Sequence, residues 1–157
     1  MNFPVTPAVR VLREHKVEFV PHLYDYEERG GTRHSAAALG VDEHAVVKTL
    51  VLETDARKAL IMLMHGDREV STKQLARTLK VKSVQPCEPA TAQKHTGYLV
   101  GGTSPFGTRA KLPVYVERTI FELPRIYING GKRGFLVEIE PRVLSELLPV
   151  EEVEVAI

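Results

Sequence analysis

Two apolar runs separated by a short polar turn constrain the fold of this chain more than any other sequence feature. Residues 46–53 and 59–64 are rich in Val, Leu, Ile and Met, and residues 54–57 connect them. Apolar runs of this length on either side of a short polar turn are typical of a β-hairpin. The sheet therefore contains antiparallel pairing, which disfavours a purely parallel, doubly wound architecture.

Helical and extended segments alternate irregularly around this hairpin. Capping residues predict helices that begin after Thr6, Ser35 and Ser71, and shorter helices over 90–95 and 143–148. Further strands are predicted at 19–24, 82–85, 114–116, 125–129, 135–139 and 153–155, with a polar loop at 27–34. We expect an α+β fold, in which helices surround a strongly curled, barrel-like mixed sheet and residues 1–157 form one domain.

The composition excludes several classes of protein. The chain has 157 residues, of which 43% are hydrophobic. Its longest purely apolar run, residues 59–64, is far shorter than the about 20 residues of a membrane-spanning helix. The N-terminal residues lack the basic and apolar regions of a secretory signal, and the single cysteine, Cys87, excludes an internal disulfide and multi-cysteine metal sites. We expect a cytoplasmic protein that does not contact membranes.

Charge is distributed unevenly along the chain. The net charge is +1, from 21 basic and 20 acidic residues, but residues 73–133 contain eleven Lys or Arg and only three acidic residues. This clustering indicates a basic face that binds a polyanion. The alternative is that the same charges disperse in space over a solvated surface.

Signatures of the common hydrolases and nucleotide-binding proteins are absent from the sequence. There is no Gly-x-Ser-x-Gly nucleophile motif, no phosphate-binding P-loop motif and no His-x-His or His-Glu-x-x-His pair. The sequence therefore offers no motif of a serine hydrolase, a P-loop protein or a His-pair metal site.

Lys48 is the first of three unusual features. Strand alternation places it on the same face as Val46, Leu50 and Leu52. A lysine on an apolar strand face must either extend its ammonium group to water or meet an anion. A functional Lys48 would direct a positive charge at a phosphate or a developing oxyanion.

Two glycine-rich segments are the other features. In residues 97–107, four glycines allow the backbone to approach a ligand closely and to form an anion-binding nest, although ordinary loops share this composition. In residues 127–134, Lys132 and Arg133 lie on a tight glycine turn. Such a turn suits contact with a phosphate backbone, although solvated turn charges give the same pattern.

Together these segments resemble the YbaK/prolyl-tRNA-synthetase-associated editing domain family, and are most similar to its bacterial Cys-tRNA(Pro) deacylases. The resemblance implies a curled mixed sheet with surrounding helices. It also implies an enzyme that removes a wrong amino acid from charged tRNA without a metal or cofactor, with prolyl-tRNA synthetase as a possible partner and no DNA. The residues that carry it are Thr6-Pro7-Ala8, His22-Leu23-Tyr24-Asp25, Val47-Lys48-Thr49-Leu50, residues 96–107, Gly130-Gly131-Lys132-Arg133-Gly134 and Val137-Glu138-Ile139.

The resemblance also implies roles for individual residues. Lys48 corresponds to the essential catalytic lysine. Because they are adjacent cations on the glycine turn, Lys132 and Arg133 are expected to contact tRNA. Asn129 stands where relatives often have serine and Leu136 where some have aspartate, which bears on amino-acid specificity. The expected substrate-binding residues are Tyr24, Thr49, Gly101, Gly102, Thr103, Ser104, Pro105 and Asn129.

The expected chemistry is hydrolysis of an activated ester. Backbone N–H groups of Gly101 and Gly102 could stabilise the oxyanion. With no serine, cysteine or metal arrangement able to attack the ester, the nucleophile is water or the thiol of a misloaded cysteine. The alternatives are a deacylase for Ala-, Ser- or Thr-tRNA, and a module that binds tRNA or a synthetase without catalysis.

Overall fold

The computed structural model of the protein describes residues 2–157. The α-helices in this part of the chain are α1 (Pro7–Glu14), α2 (Gly31–Leu39), α3 (Thr72–Leu79), α4 (Pro89–Thr96) and α5 (Arg142–Leu147). The strands are β1 (Val20–Leu23), β2 (Val46–Thr54), β3 (Ala59–His65), β4 (Val84–Pro86), β5 (Val114–Glu117), β6 (Ile126–Lys132), β7 (Phe135–Ile139) and β8 (Val150–Val153). No helix among these residues is long and apolar enough to cross a membrane.

The strands form one mixed sheet in the order β1-β7-β6-β2-β3-β5-β8, with β4 paired to β2. The predicted hairpin is confirmed as the antiparallel pair β2–β3, whereas β2–β6, β3–β5 and β5–β8 are parallel. The predicted fold class, a mixed sheet with surrounding helices, is confirmed. Within residues 2–157 the outer strands β1 and β8 do not pair with each other, so barrel-like describes the sheet only loosely.

The two faces of the sheet pack against different helices. Val47 points into the main core, which includes Leu12 of α1 and Leu144 of α5. Val46, on the opposite face, packs with Ala36 of α2. A third apolar cluster on that face joins β2 and β3 to α3. Lys48 therefore lies between the apolar clusters under α2 and α3.

Strand β2 is paired at both ends but not in the middle of one side. Residues 46–47 pair with β6 and residues 52–54 pair with β4, whereas no described strand pairs with residues 48–51 on that side. The Val51 carbonyl accepts a hydrogen bond from the Cys87 N–H on this side (3.0 Å). Because successive residues of a strand direct their backbone groups to alternate sides, the N–H and C=O of Thr49 also point into this gap.

The first helix is fixed against the β6–β7 hairpin by its cap. The Thr6 hydroxyl accepts a hydrogen bond from the Val9 N–H (3.1 Å), as the sequence predicts for a cap followed by Pro7. The same hydroxyl donates to the carbonyl of Gly130. The cap therefore also positions the glycine turn of the hairpin.

The predicted start of α2 is wrong. The helix begins at Gly31 rather than after Ser35, so the polar loop predicted for 27–34 ends early. Ser35 is buried within the helix and donates to the Thr32 carbonyl (3.2 Å). Packing of Ser35 and Ala36 against the sheet holds this polar first turn helical, which local sequence does not reveal.

The other boundaries are close to prediction. Ser71 caps α3, Asp42 caps a short 3-10 turn at Glu43–Ala45, and Pro21 lies on an edge strand. The last strand lies at Val150–Val153 rather than 153–155, because parallel pairing places Val150 opposite Val114 of β5. A 3-10 turn at Arg118–Glu122 was not predicted.

Candidate active site

A cavity of about 670 Å³ opens between α2, β2 and the glycine-rich segment 97–107. It brings together predicted residues that are distant in sequence. Those lining it are Tyr24, Lys48, Thr49, Gly101, Thr103, Asn129 and Arg133, whereas Gly102, Ser104, Pro105 and Lys132 do not line it.

Lys48 reaches the cavity from the middle of β2. Its Nζ lies 3.4 Å from Oε1 of Glu69, and the Lys48 side chain is 20% exposed while that of Glu69 is 81% exposed. Of the two alternatives from the sequence, the ammonium group meets an anion. An exposed ion pair of this kind contributes about 0–1 kcal/mol, so an anionic ligand can displace the carboxylate at little cost.

Thr49 lines the cavity at the gap in the pairing of β2. Its Oγ1 is buried and has no hydrogen-bond partner among the described residues. Its backbone groups face the gap in β2 pairing between β6 and β4. A buried hydroxyl without a partner costs about 1–3 kcal/mol, so this position of β2 is held at a cost to stability.

Within the glycine-rich segment 97–107, Gly101 is exposed and lines the cavity. It has a φ of +90°, and a Cβ at this position would lie 2.6 Å from the Tyr26 hydroxyl. No described residue accepts a hydrogen bond from its N–H. The N–H of Gly102, in contrast, donates to the Leu99 carbonyl (2.8 Å) and is not free to stabilise an oxyanion.

The remainder of the glycine-rich segment supports the cavity wall from behind. Gly102 packs so closely on the β6–β7 turn that a Cβ would lie 2.8 Å from the Arg133 nitrogen. Ser104 is fully buried and accepts from the Phe106 N–H (3.1 Å), and Pro105 is buried beside it. Tyr98 donates to the Phe106 carbonyl (2.6 Å), and burial raises the pKa of Tyr98 to about 12.

Asn129 links the glycine-rich segment to the β6–β7 hairpin. Its Oδ1 accepts from the N–H groups of Gly131 (2.7 Å) and Lys132 (3.1 Å), where a β-bulge interrupts the register. Its Nδ2 donates to the Gly101 carbonyl (3.1 Å). The Asn129 side chain thus orients the backbone of Gly101, and Asn129 also lines the cavity.

The two cations of the glycine turn occupy different positions. Arg133 lines the cavity, donates from Nε to the Val100 carbonyl (2.9 Å) and stacks over the Tyr26 ring (5.1 Å to the centroid). Lys132 is exposed and lines, with Arg133, an adjoining groove of about 450 Å³. Tyr24 borders both the cavity and the groove, so the two spaces adjoin. The described residues that line the groove include two cations and no carboxylate.

Tyr24 is half-buried at the junction of these spaces. Burial raises the pKa of its phenol above the ordinary value of 10.0. The hydroxyl therefore stays protonated at neutral pH, where it can donate a hydrogen bond but cannot act as a base.

Sequence reasoning missed the wall formed by α2 and the loop after β3. Leu136 was considered only as a departure from relatives; it is 4% exposed and packs with Ala36 and Val46 to form an apolar part of the lining. The acidic members gave no motif, and only their proximity in space reveals them. The missed lining residues include Thr32, Glu43, Gly66 and Glu69.

Ion pairs neutralise part of the charge in the basic half of the sequence. Arg118 pairs with Glu154 (2.6 Å) and Arg125 pairs with Glu138 (3.0 Å). Three further cations line a separate groove of about 400 Å³ beside α3 and β4, namely Lys73, Arg77 and Lys82. Cations of this segment thus line both this groove and the groove beside the β6–β7 turn.

Comparison with known proteins identifies the family. The profile of the aminoacyl-tRNA editing domain matches residues 28–147. This chain belongs to that family. The resemblance drawn from the sequence is thereby confirmed, and aminoacyl-tRNA editing is the activity that membership assigns to this editing domain.

Individual relatives and one solved structure are similar to most of the length of this chain. EbsC of Enterococcus faecalis, named as a candidate Cys-tRNA(Pro)/Cys-tRNA(Cys) deacylase, is 28% identical over 143 residues, covering 90% of this chain and 87% of EbsC. A proline–tRNA ligase of Caldicellulosiruptor bescii is 25% identical over 126 residues, covering 80% of this chain but only 20% of the ligase. A solved structure of a candidate trans-editing enzyme for prolyl-tRNA synthetase shares the fold, with a TM-score of 0.81, 20% identity and coverage of 97% of this chain and 98% of that one.

Proposed function

We propose that this editing domain is a trans-acting aminoacyl-tRNA deacylase that removes cysteine from tRNA(Pro) in the cytoplasm. The observation that carries the proposal is that Lys48 and the Gly101 backbone line one cavity of about 670 Å³. This volume lies within the range of sites that bind drug-sized ligands, and an amino acid esterified to adenosine is of that size. The name of the EbsC relative supports cysteine as the misloaded residue.

The proposed roles follow from the contacts of each residue. Lys48 exchanges its exposed carboxylate partner for the terminal phosphate or ribose of the tRNA. The unpaired N–H of Gly101 stabilises the oxyanion that develops on the ester carbonyl. The Thr49 backbone N–H, which faces the gap in the pairing of β2, supplies a further hydrogen bond to the bound ester.

The substrate thiol serves as the nucleophile. A cysteine thiol with an ordinary pKa of about 8.5 is partly thiolate at neutral pH and is intramolecular with its own ester carbonyl. The sulfur adds to the carbonyl carbon, the bond from that carbon to the ribose oxygen breaks, and the ribose oxygen takes a proton from water. Water then opens the resulting strained cyclic thioester to release cysteine. These steps use no metal ion or cofactor.

The apolar part of the lining favours cysteine over serine. Leu136 and Val46 offer no hydrogen bond to a hydroxyl, whereas a thiol loses little when it is desolvated. Alanine fits the same surface but lacks a nucleophile. An alanyl-, seryl- or threonyl-tRNA deacylase that activates water, with Tyr24 or Asn129 positioning it, is the second candidate.

A panel of mischarged tRNAs tests the proposal. Cys-, Ala-, Ser- and Thr-tRNA(Pro) are incubated with the protein, and the release of amino acid is followed. We expect Cys-tRNA(Pro) to be cleared far faster than Ser-tRNA(Pro), although the side chains are similar in size. Equal rates for the Cys and Ser esters would exclude the thiol mechanism and favour activated water.

The same panel separates catalysis from binding. A module that only binds tRNA or a synthetase would retain tRNA on a filter yet release no amino acid at any enzyme concentration. Turnover of any member of the panel by the wild-type protein, lost in Lys48→Ala, would exclude that alternative.

A further inference from the structure

Glu43 is a carboxylate of the cavity wall that the proposed chemistry does not use. It lies in the 3-10 turn that leads into β2, is half-buried and lines the cavity. Its Oε2 accepts a hydrogen bond from the Thr32 hydroxyl (2.9 Å), which fixes the carboxylate in position. Within residues 2–157, no Lys, Arg or His forms an ion pair with it.

The other carboxylates of the cavity differ from Glu43 in exposure. Glu69 pairs with Lys48 and is 81% exposed, and Glu27 pairs with His34 and is 66% exposed. Glu28 is exposed as well. Glu43 is therefore the only partly buried carboxylate among the described lining residues, and the only one besides Glu28 without a basic partner.

A half-buried carboxylate is most favourable when it binds a cation. An aminoacyl-tRNA carries one cation close to the reacting ester, the α-ammonium group of the amino acid. From this match we infer that Glu43 binds the α-ammonium group of the esterified amino acid. The inference rests on the proposed function and adds a determinant of substrate recognition to it.

The sheet register places Glu43 and Lys48 at a suitable separation. The Thr32 hydroxyl that contacts Glu43 also lies 3.0 Å from the Gly66 carbonyl, and the Gly66 N–H donates to Val46. The Glu43 carboxylate thus lies beside the Val46 end of β2, two residues before Lys48, or about 7 Å along the strand. An aminoacyl-tRNA likewise carries a positive ammonium group on the amino acid and a negative phosphate on the terminal nucleotide beside it. Glu43 therefore matches the ammonium group, and Lys48 matches the phosphate.

Glu43→Gln tests the inference because the amide keeps the size of the side chain and can still accept from Thr32. Each variant is assayed with the aminoacyl-tRNA that the wild-type protein clears fastest, and with its α-hydroxy analogue, which has a hydroxyl in place of the ammonium group. The wild-type protein should prefer the ammonium ester by about ten- to hundredfold in kcat/KM, as expected for a hydrogen bond between charged groups. Glu43→Gln should lose most of this preference and clear the α-hydroxy ester at the wild-type rate.

Two further variants control for charge and folding. Glu122→Gln removes one negative charge at an exposed position outside the cavity and should keep the full preference. Thr32→Val keeps the carboxylate but removes the group that orients it, and should reduce the preference partially even if Glu43→Gln does not fold.

A wild-type preference that persists in Glu43→Gln and in Thr32→Val would overturn the inference, as would a wild-type protein that does not distinguish the two esters. If the wild-type protein clears no aminoacyl-tRNA at all, it is the proposed function that fails. The two failures are therefore distinguishable.

Discussion

Replacing Asn129 tests whether this side chain positions the glycine-rich segment. Asn129→Ala removes three hydrogen bonds, two from the hairpin backbone and one to the Gly101 carbonyl. Each contributes about 0.5–1.5 kcal/mol, and partial rehydration at this half-exposed position reduces the sum to about 2 kcal/mol. For a domain of this size the melting temperature should fall by roughly 4–8 °C.

Asn129→Asp is the matched variant. A carboxylate keeps both acceptor bonds to the hairpin but cannot donate to Gly101, so the melting temperature should fall by only about 2–4 °C. Because both variants release Gly101, both should lose at least about tenfold in kcat/KM for the preferred aminoacyl-tRNA. Scanning calorimetry and initial rates measure the two quantities. A fully active Asn129→Asp protein, or an Asn129→Ala protein with an unchanged melting temperature, would refute this reasoning.

Further predictions concern catalysis, RNA binding and pH. Lys48→Met should abolish deacylation but change the free energy of unfolding by less than about 1 kcal/mol, because the carboxylate partner is exposed; a larger loss would indicate a structural ion pair. Gly101→Ala should lose activity, since φ is +90° and the Cβ would meet a tyrosine hydroxyl at 2.6 Å, and wild-type rates would contradict this. Neutralising Lys132 and Arg133 together should weaken binding of different tRNAs similarly and flatten its salt dependence in filter binding; salt-insensitive wild-type binding would argue against this groove. Hydrogen bonds from the adjacent histidine and arginine hold the pKa of Glu138 below 4.5. Ionised Glu138 therefore stabilises the folded protein above pH 4.5, and this contribution is lost as the pH falls further. As the pH falls below 4.5, the wild type should therefore lose more of its free energy of unfolding than Glu138→Gln, and parallel curves would contradict the assignment.

Local sequence signals were sufficient where a structural element is determined by its own residues. Thr6 and Ser71 each cap the helix predicted for them, and the β2–β3 hairpin follows from two apolar runs. The start of α2 was mispredicted because serine is a common N-cap residue. Ser35 instead lies inside the helix, where it is buried against a sheet formed by residues far away in sequence.

The candidate site divides in the same way. Lys48 and the glycine-rich segment are recognisable as motifs, and the structure places them in one cavity. Glu43 has no motif, and its relation to Thr32 arises only when α2 packs beside β2. The hydrogen bond that occupies the Gly102 N–H likewise depends on the folded conformation of its loop.

The parallel pairing of β2 with β6 has a consequence for folding kinetics. It joins Val46, in the first third of the chain, to Tyr127, in the last third, and the cavity forms only where these strands meet. Contacts between such distant segments form late and slow the folding of a domain, because a long loop must close first. Regain of deacylase activity during refolding should therefore follow the slowest phase of structure formation, and a nascent chain that lacks β6 has the lysine but no site in which to use it.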